Sequence, residues 1–156
     1  MNIRLACEKD LDRILDLLSQ VLEIHAAIRP DVFVSGTTKY DKEKLKKLIS
    51  DPDTPIYAAT DEDDKLMGYA FCVIKETPDS VNMVKYKYIY IDDLCVDSVA
   101  RGKHVGEQLF EYVKEKAREL GCYEVRLNVW SGNDSAEGFY KKMGMKPMST
   151  QMEYIL

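Results

Sequence analysis

The first half of the chain alternates between the hydrophobic periods of strands and helices. Residues 2–6 follow the two-residue period of a short strand. Residues 8–28 carry apolar side chains every three or four positions, as in a helix with one buried face. Residues 39–50 predict a second, more polar helix. Three strand patterns follow, at residues 56–60, 66–75 and 86–96.

In the second half of the chain, strand patterns alternate with helix patterns. Apolar residues four positions apart, from Val105 to Ala117, predict a helix that ends at Gly121. Further patterns predict a strand at residues 123–129, a short helix at 135–143 and a final strand at 148–156. With no repeat or linker-like segment, this order predicts one domain over residues 1–156, of the α/β class with a mixed sheet and helices on both faces.

Composition narrows the range of functions. A chain of 156 residues has the size of one ordinary domain, and no stretch approaches the roughly 20 apolar residues that span a bilayer. The first residues lack the apolar block of a secretory signal, so we expect a cytoplasmic protein without a membrane partner. The net charge of −5 argues against nucleic acid as a partner, since binding to phosphates requires concentrated positive charge.

The cysteines and histidines predict no metal site. The chain has two histidines and four cysteines that form no C-x-x-C pair, namely Cys7, Cys72, Cys95 and Cys122. Cys72, Cys95 and Cys122 lie in or beside apolar runs, so we expect these three to be reduced thiols of the core. Cys95 is also conceivable as an acyl-carrying nucleophile, but the sequence couples no histidine to it.

Residues 94–109 carry the strongest indication of a ligand-binding site in the sequence. An apolar strand ends, a turn rich in glycine and basic residues follows, and an amphipathic helix begins. Unpaired N–H groups at the start of a helix, together with its dipole, form a site for a phosphate or diphosphate. Gly102 and Gly106 allow the backbone to approach such a ligand closely. The residues that add positive charge are Arg101, Lys103 and His104. An ordinary strand-to-helix turn, with glycine needed for geometry alone, explains the same pattern.

This segment resembles the acetyl-CoA-binding signature of the GNAT superfamily of N-acetyltransferases. In that signature an Arg or Gln, two variable residues, a Gly, one variable residue and a Gly or Ala follow the central strand. The matching residues here are Arg101, Gly102, Lys103, His104, Val105 and Gly106. His104 stands where the family usually has its middle glycine. Its backbone N–H still serves as a donor, and a positive φ there would carry some strain.

The resemblance covers nearly the whole chain. Residues 3–6 followed by Asp10 and Leu11 are similar to the usual opening of the family, and residues 66–70 are similar to its second long strand. A downstream motif, Asn-x-x-Ala-x-x-Phe-Tyr-x-x-x-Gly-Phe, is matched by Asn133, Ala136, Phe139, Tyr140 and Gly144. The resemblance implies a mostly antiparallel sheet that splays open at its middle, with helices on both faces.

The resemblance also implies the activity and the binding residues. Members transfer an acetyl group from acetyl-CoA to a primary amine by direct attack in a ternary complex, without a metal. The pantetheine arm would pair with backbone groups of Leu94, Cys95 and Val96, and Asn133 would touch the CoA arm. The diphosphate would be held by the turn and the helix start, at Arg101, Gly102, Lys103, His104, Val105, Gly106 and Glu107.

Four residues are candidates for catalysis. By resemblance, Tyr140 would protonate the departing thiolate, and the N–H of Leu94 would donate to the thioester oxygen. Tyr140 is also compatible with a plain core position. Asp92 and Asp93 interrupt an apolar strand, where a carboxylate is costly unless it is paired or protonated. Either is a candidate for the general base. Equally, the strand bulges and leaves both carboxylates solvated or bound to nearby backbone.

The sequence leaves several questions open. A non-catalytic acyl-CoA-binding regulatory module with the same pocket is the alternative to an enzyme. A nucleotide-binding reading fails because no Gly-Lys-Ser/Thr ending is present. The acceptor amine is not specified, and a homodimer, common among similar proteins, is left open. In the family the loop after the first helix lines the acceptor side, where His25, Arg29 and Asp31 either contact substrate or are held by local hydrogen bonds.

Overall fold

The computed structural model describes all 156 residues. The strands are β1 (Asn2–Leu5), β2 (Ile56–Thr60), β3 (Leu66–Glu76), β4 (Lys87–Val96) and β5 (Glu124–Leu127). The helices are α1 (Leu11–Ile28), α2 (Lys42–Ile49), α3 (Val105–Glu119) and α4 (Asp134–Lys142). Short 3₁₀ turns precede α1 at Glu8–Asp10 and follow β4 at Ser98–Ala100. No helix of the protein is both long enough and apolar enough to cross a membrane.

The five strands form one mixed sheet in the order β1-β2-β3-β4-β5. Neighbours are antiparallel from β1 to β4, and β5 is parallel to β4. A parallel neighbour requires a crossover, which α3 supplies. The predicted mixed, mostly antiparallel sheet is confirmed.

Helices cover both faces of the sheet and bury two apolar clusters. The cluster under α1 and α2 includes Ile14, Leu17 and Leu45, while the cluster under α3 includes Leu109 and Val113. Each helix contributes the residues that recur at three-and-four spacing, which is why its period was readable in the sequence.

The sheet opens between β4 and β5. The two strands pair only from Tyr88 opposite Glu124 to Ile91 opposite Leu127, whereas β4 continues beside β3 as far as Val96. This opening, called the gap below, is the splay that the resemblance predicted.

The gap is lined by unpaired backbone groups of β4. The N–H of Asp97 donates to the carbonyl of Met67 at 2.9 Å, and hydrogen-bonded positions alternate along an antiparallel pair. The N–H and C=O groups of Leu94 and Val96 therefore point into the gap, while those of Cys95 point toward β3.

A β-bulge in β4 explains how two successive carboxylates fit into this strand. Asp93 lies opposite Phe71, yet Ile91 lies opposite Cys72, so Asp92 is an extra residue without a partner. A bulge breaks the alternation of side chains between the two faces. Asp92 and Asp93 consequently both face the side of the sheet that α1 and α2 cover.

Two element predictions need correction. Helix α2 begins at Lys42 rather than at residue 39, because the Asp41 side chain caps it by accepting the N–H of Lys44 at 2.8 Å. The predicted final strand at residues 148–156 is wrong: no strand follows α4, and these residues are exposed. Alternating polarity describes how side chains would face in a sheet, but a strand also needs a neighbour for its backbone.

Candidate active site

The turn before α3 presents a run of unpaired backbone donors. Gly102 and His104 adopt left-handed conformations, with φ of 77° and 60°, which turn successive N–H groups toward one side. No N–H from Gly102 to Glu107 donates a hydrogen bond within the protein, and the first bond of the helix runs from Gln108 to the carbonyl of His104. This is the arrangement that binds a phosphate group at a helix start.

The basic side chains of the turn that have no acidic partner are available for a ligand. Arg101 and Lys103 are exposed and have no acidic partner. The His104 ring instead turns to Glu107, with Nδ1 3.0 Å from Oε2, and Lys142 binds the same carboxylate at 2.6 Å. Lys142 and then His104 hold the pKa of Glu107 below its ordinary value. The φ of His104 is positive, which is the case in which some strain was expected, and its side chain contacts Glu107.

Gly106 lies at the mouth of the gap. A Cβ added there would lie 3.4 Å from the Phe139 ring and 3.5 Å from the Val96 side chain. The glycine therefore faces the space between β4 and α4, so any larger side chain at this position would enter the gap.

Tyr140 reaches the gap from α4. Its ring lies 6.1 Å from that of Phe110 and 5.1 Å from that of Phe139. Burial, and then the charge of Asp93, raise the pKa of Tyr140. The hydroxyl makes no hydrogen bond with the protein, although a tyrosine packed in a core usually finds a partner. Tyr140 therefore offers an unused, fully protonated donor at neutral pH.

Asp93 is held by a tyrosine that the sequence did not single out. The hydroxyl of Tyr69, a residue with no exposed surface, donates to the Asp93 carboxylate. Burial raises the pKa of Asp93 to about 6, with Asp92 adding to the effect and Tyr69 and Lys39 opposing it. Part of the Asp93 surface remains accessible. An accessible carboxyl group that titrates near neutral pH suits a general base.

Asp92 has different partners. Its carboxylate pairs with the ammonium of Lys39 and lies 3.3 Å from the hydroxyl of Tyr40. The bulge weighed for this strand is present, and the Leu94 backbone N–H helps to hold the Asp93 carboxylate. Both carboxylates also have side-chain partners, Lys39 for Asp92 and Tyr69 for Asp93. Sequence reasoning missed Lys39, Tyr40 and Tyr69 because only the bulge and the segment between α1 and α2 bring them to these carboxylates.

Cys95 and Asn133 have structural roles. Cys95 is buried, its sulfur lies 3.7 Å from the carbonyl oxygen of Leu17, and burial raises its pKa to about 12. A thiol with that pKa is not a nucleophile at neutral pH, so the core reading of Cys95 is confirmed. The Asn133 side-chain oxygen caps α4 by accepting the N–H of Ala136 at 3.3 Å. Its amide nitrogen makes no hydrogen bond within the protein and remains for a ligand.

Aromatic rings connect the end of α1, the segment after it and the loop after β5. His25 packs against Phe33, which packs edge-on against Trp130 at 5.3 Å. Burial, and then the charge of Lys39, lower the pKa of His25, so its ring is neutral at pH 7. Arg29 is bound to Asp31, a local hydrogen bond of the kind weighed for this loop, and also to Glu153 near the end of the chain.

Replacing Asp93 with asparagine is expected to stabilise the protein by about 3 kcal/mol at pH 8 and by only about 0.5 kcal/mol at pH 4. The pKa of about 6 in the folded protein exceeds the ordinary 3.8, so the folded state keeps a proton that the unfolded state releases between these values. Stability therefore falls as the pH rises from about 4 to about 6 and stays lower above. Asparagine avoids this cost and still accepts the Tyr69 hydroxyl.

Urea unfolding at both pH values measures this difference. Asp92→Asn is the matched control, because it removes a carboxylate that is already paired with Lys39 and should give no gain. Equal effects of Asp93→Asn at pH 4 and pH 8 would contradict the raised pKa.

Comparisons with known proteins agree with this fold. The Acetyltransferase (GNAT) family matches residues 18–145. A thialysine N-epsilon-acetyltransferase from Bos taurus is 27% identical over 94% of this chain and 85% of its own length. A glucosamine 6-phosphate N-acetyltransferase from Arabidopsis thaliana is 38% identical, over only 40% of each protein.

A solved structure is similar over the full chain. A single-site mutant of the BH1408 protein from Bacillus halodurans superposes with a TM-score of 0.95 and 29% identity, covering 100% of this chain and 99% of that one. Family members use acetyl-CoA as co-substrate. The protein is therefore an acyltransferase that belongs to the GNAT family of acetyltransferases.

Proposed function

We propose that this enzyme moves the acetyl group of acetyl-CoA directly to a primary amine in a ternary complex. One observation carries the proposal: the unpaired N–H groups from Gly102 to Glu107 adjoin a gap whose wall offers the unpaired backbone groups of Leu94 and Val96. A diphosphate joined to an extended amide-containing arm satisfies both sets of groups.

The residues present fit acetyl-CoA. The free cations Arg101 and Lys103 stand beside the amides that would hold the diphosphate. Leu94 and Val96 would pair with the arm as an added strand does, while the amide nitrogen of Asn133 is available to it. The backbone groups of Cys95 point toward β3 and so cannot pair with the arm. Cys95 would only lie beside the arm, between its two pairing neighbours.

Four groups of the chain would serve the transfer. Acetyl-CoA supplies an acetyl thioester, which an amine attacks. The Leu94 N–H donates to the oxygen on which negative charge grows. Tyr140 gives its proton to the departing sulfur, and Asp93 accepts a proton from the substrate ammonium, directly or through water. Asp92 is the second candidate for this base.

Calorimetry and a thiol-release assay test the proposal together. We expect saturable heat with acetyl-CoA and thiol release with at least one amine of a panel. The panel holds a lysine-like alkylamine and glucosamine 6-phosphate, the kinds of acceptor named for the Bos taurus and Arabidopsis thaliana relatives. Heat without thiol release for any amine would indicate a non-catalytic acyl-CoA-binding module. If no heat were detected at millimolar acetyl-CoA, the proposed use of acetyl-CoA would be refuted.

A further inference from the structure

The Lys39 side chain places an ammonium group inside the candidate active site. It pairs with Asp92, and its nitrogen lies 5.5 Å from the centre of the Tyr40 ring. The Tyr40 hydroxyl lies 3.3 Å from the same carboxylate. A carboxylate beside an aromatic face is a binding site for a cation, and we call Asp92 and Tyr40, which Lys39 occupies here, the ammonium site.

Among the cations near the ammonium site only Lys39 pairs with Asp92, while Lys44 lies over the Tyr40 ring at 5.3 Å. His25 is neutral at pH 7, and Arg29, the other cation of the segment after α1, is bound to Asp31 and Glu153. Asp92 lies on the bulge next to Asp93, close to the point where Leu94 faces the gap. An ammonium bound here is therefore next to the groups assigned to the transfer.

Lys39 is able to leave this position. It lies in the irregular segment between α1 and α2, and its side chain is 48% exposed. Asp92 is its only acidic partner. Moving Lys39 into solvent would break no bond of a helix or strand, whereas Asp92 is anchored in the central sheet.

We infer that Lys39 occupies the position of the substrate's ammonium, so that the acceptor is a cationic primary alkylamine that competes with Lys39 for Asp92. This inference rests on the function proposed above. An acceptor binds only when the site is free of Lys39, so its apparent affinity is reduced by the fraction of protein in which Lys39 is bound. Lys39 thereby sets the selectivity for amines that bind Asp92 more tightly than a neighbouring lysine does.

Removing Lys39 is the direct test. With 1,5-diaminopentane as acceptor, Lys39→Gln is expected to lower KM about two- to fivefold, the worth of a partly exposed ion pair, while kcat stays unchanged. Lys44→Gln is the matched control. Lys44 also lies over the Tyr40 ring, at 5.3 Å, but does not bind Asp92, so its removal should leave KM as it was. A raised KM or a lower kcat in Lys39→Gln would overturn the inference, because Lys39 would then assist binding or position Asp92.

A measurement without turnover separates this inference from the proposed function. The ¹⁵N signal of the Lys39 ammonium group is followed while 1,5-diaminopentane is added to the wild-type protein in the absence of acetyl-CoA. We expect the signal to lose its ion-paired character with the diamine and to be unaffected by 1-pentanol, a neutral analogue. No response to the diamine would refute the ammonium site. A response without thiol release in the assay would keep the site and refute the transfer.

Discussion

The Gly106→Glu variant is expected to bind acetyl-CoA at least about a hundredfold more weakly than the wild-type protein. Its side chain would start between Phe139 and Val96, at the mouth of the gap. The added carboxylate would fill that space and stand beside the amides assigned to the diphosphate. Like charges about 4 Å apart repel by about 4 kcal/mol near a protein surface, which is more than enough for this loss. Isothermal titration calorimetry with acetyl-CoA measures it.

Two controls separate charge from bulk at position 106. Gly106→Ala adds a Cβ at ordinary contact distance from Phe139, so it should keep the fold and most of the affinity. Glutamine matches glutamate in size but has no charge. The affinity of Gly106→Gln for acetyl-CoA should therefore lie between those of the alanine and glutamate variants. Tight binding of acetyl-CoA by the glutamate variant would mean that the diphosphate lies at some other turn.

Replacing Tyr140 with phenylalanine is expected to lower kcat about a hundredfold while the dissociation constant of acetyl-CoA stays nearly unchanged. The variant keeps the ring that packs against Phe110 and Phe139 and loses only the hydroxyl. General acid catalysis is typically worth about 10²–10⁴ in rate. Steady-state thiol release and calorimetry measure the two constants.

The matched control is Tyr112→Phe. Tyr112 lies on α3 and packs edge-on against Tyr57 at 5.1 Å, away from the gap, so the loss of its hydroxyl should leave kcat intact. If kcat were unchanged in Tyr140→Phe as well, Tyr140 would be a core residue whose hydroxyl has no part in the reaction.

Much of the fold was readable because its signals are local. The three-and-four period of residues 8–28 predicted α1, and the run of glycine and basic residues after an apolar strand predicted the donors at the start of α3. Whether an N–H near a helix start lacks a partner depends on the first helical turn alone. The unpaired donors at the start of α3 were therefore predictable at the level of single residues, whereas the positive φ of His104 became known only from the structure.

The final strand shows the limit of such signals. Met148, Met152 and Tyr154 alternate with polar residues as a strand requires, yet they are exposed and unpaired. The alternation is a property of the segment, whereas pairing is a property of the segment and a neighbouring edge. The sequence of residues 148–156 therefore does not determine whether they pair with an edge strand of the sheet.

The sequence alone determined where the turn rich in glycine and basic residues stands, which tyrosine lies in the downstream motif and which strand carries two carboxylates. Only the tertiary structure decided what those carboxylates do. The bulge arises from the pairing of β3 with β4, and it turns Asp92 and Asp93 to one face. There Asp93 meets Tyr69 and Asp92 meets Lys39, which is 53 residues away along the chain. The direction of a strand side chain depends on the register with its neighbour, and that register is not written in the strand itself.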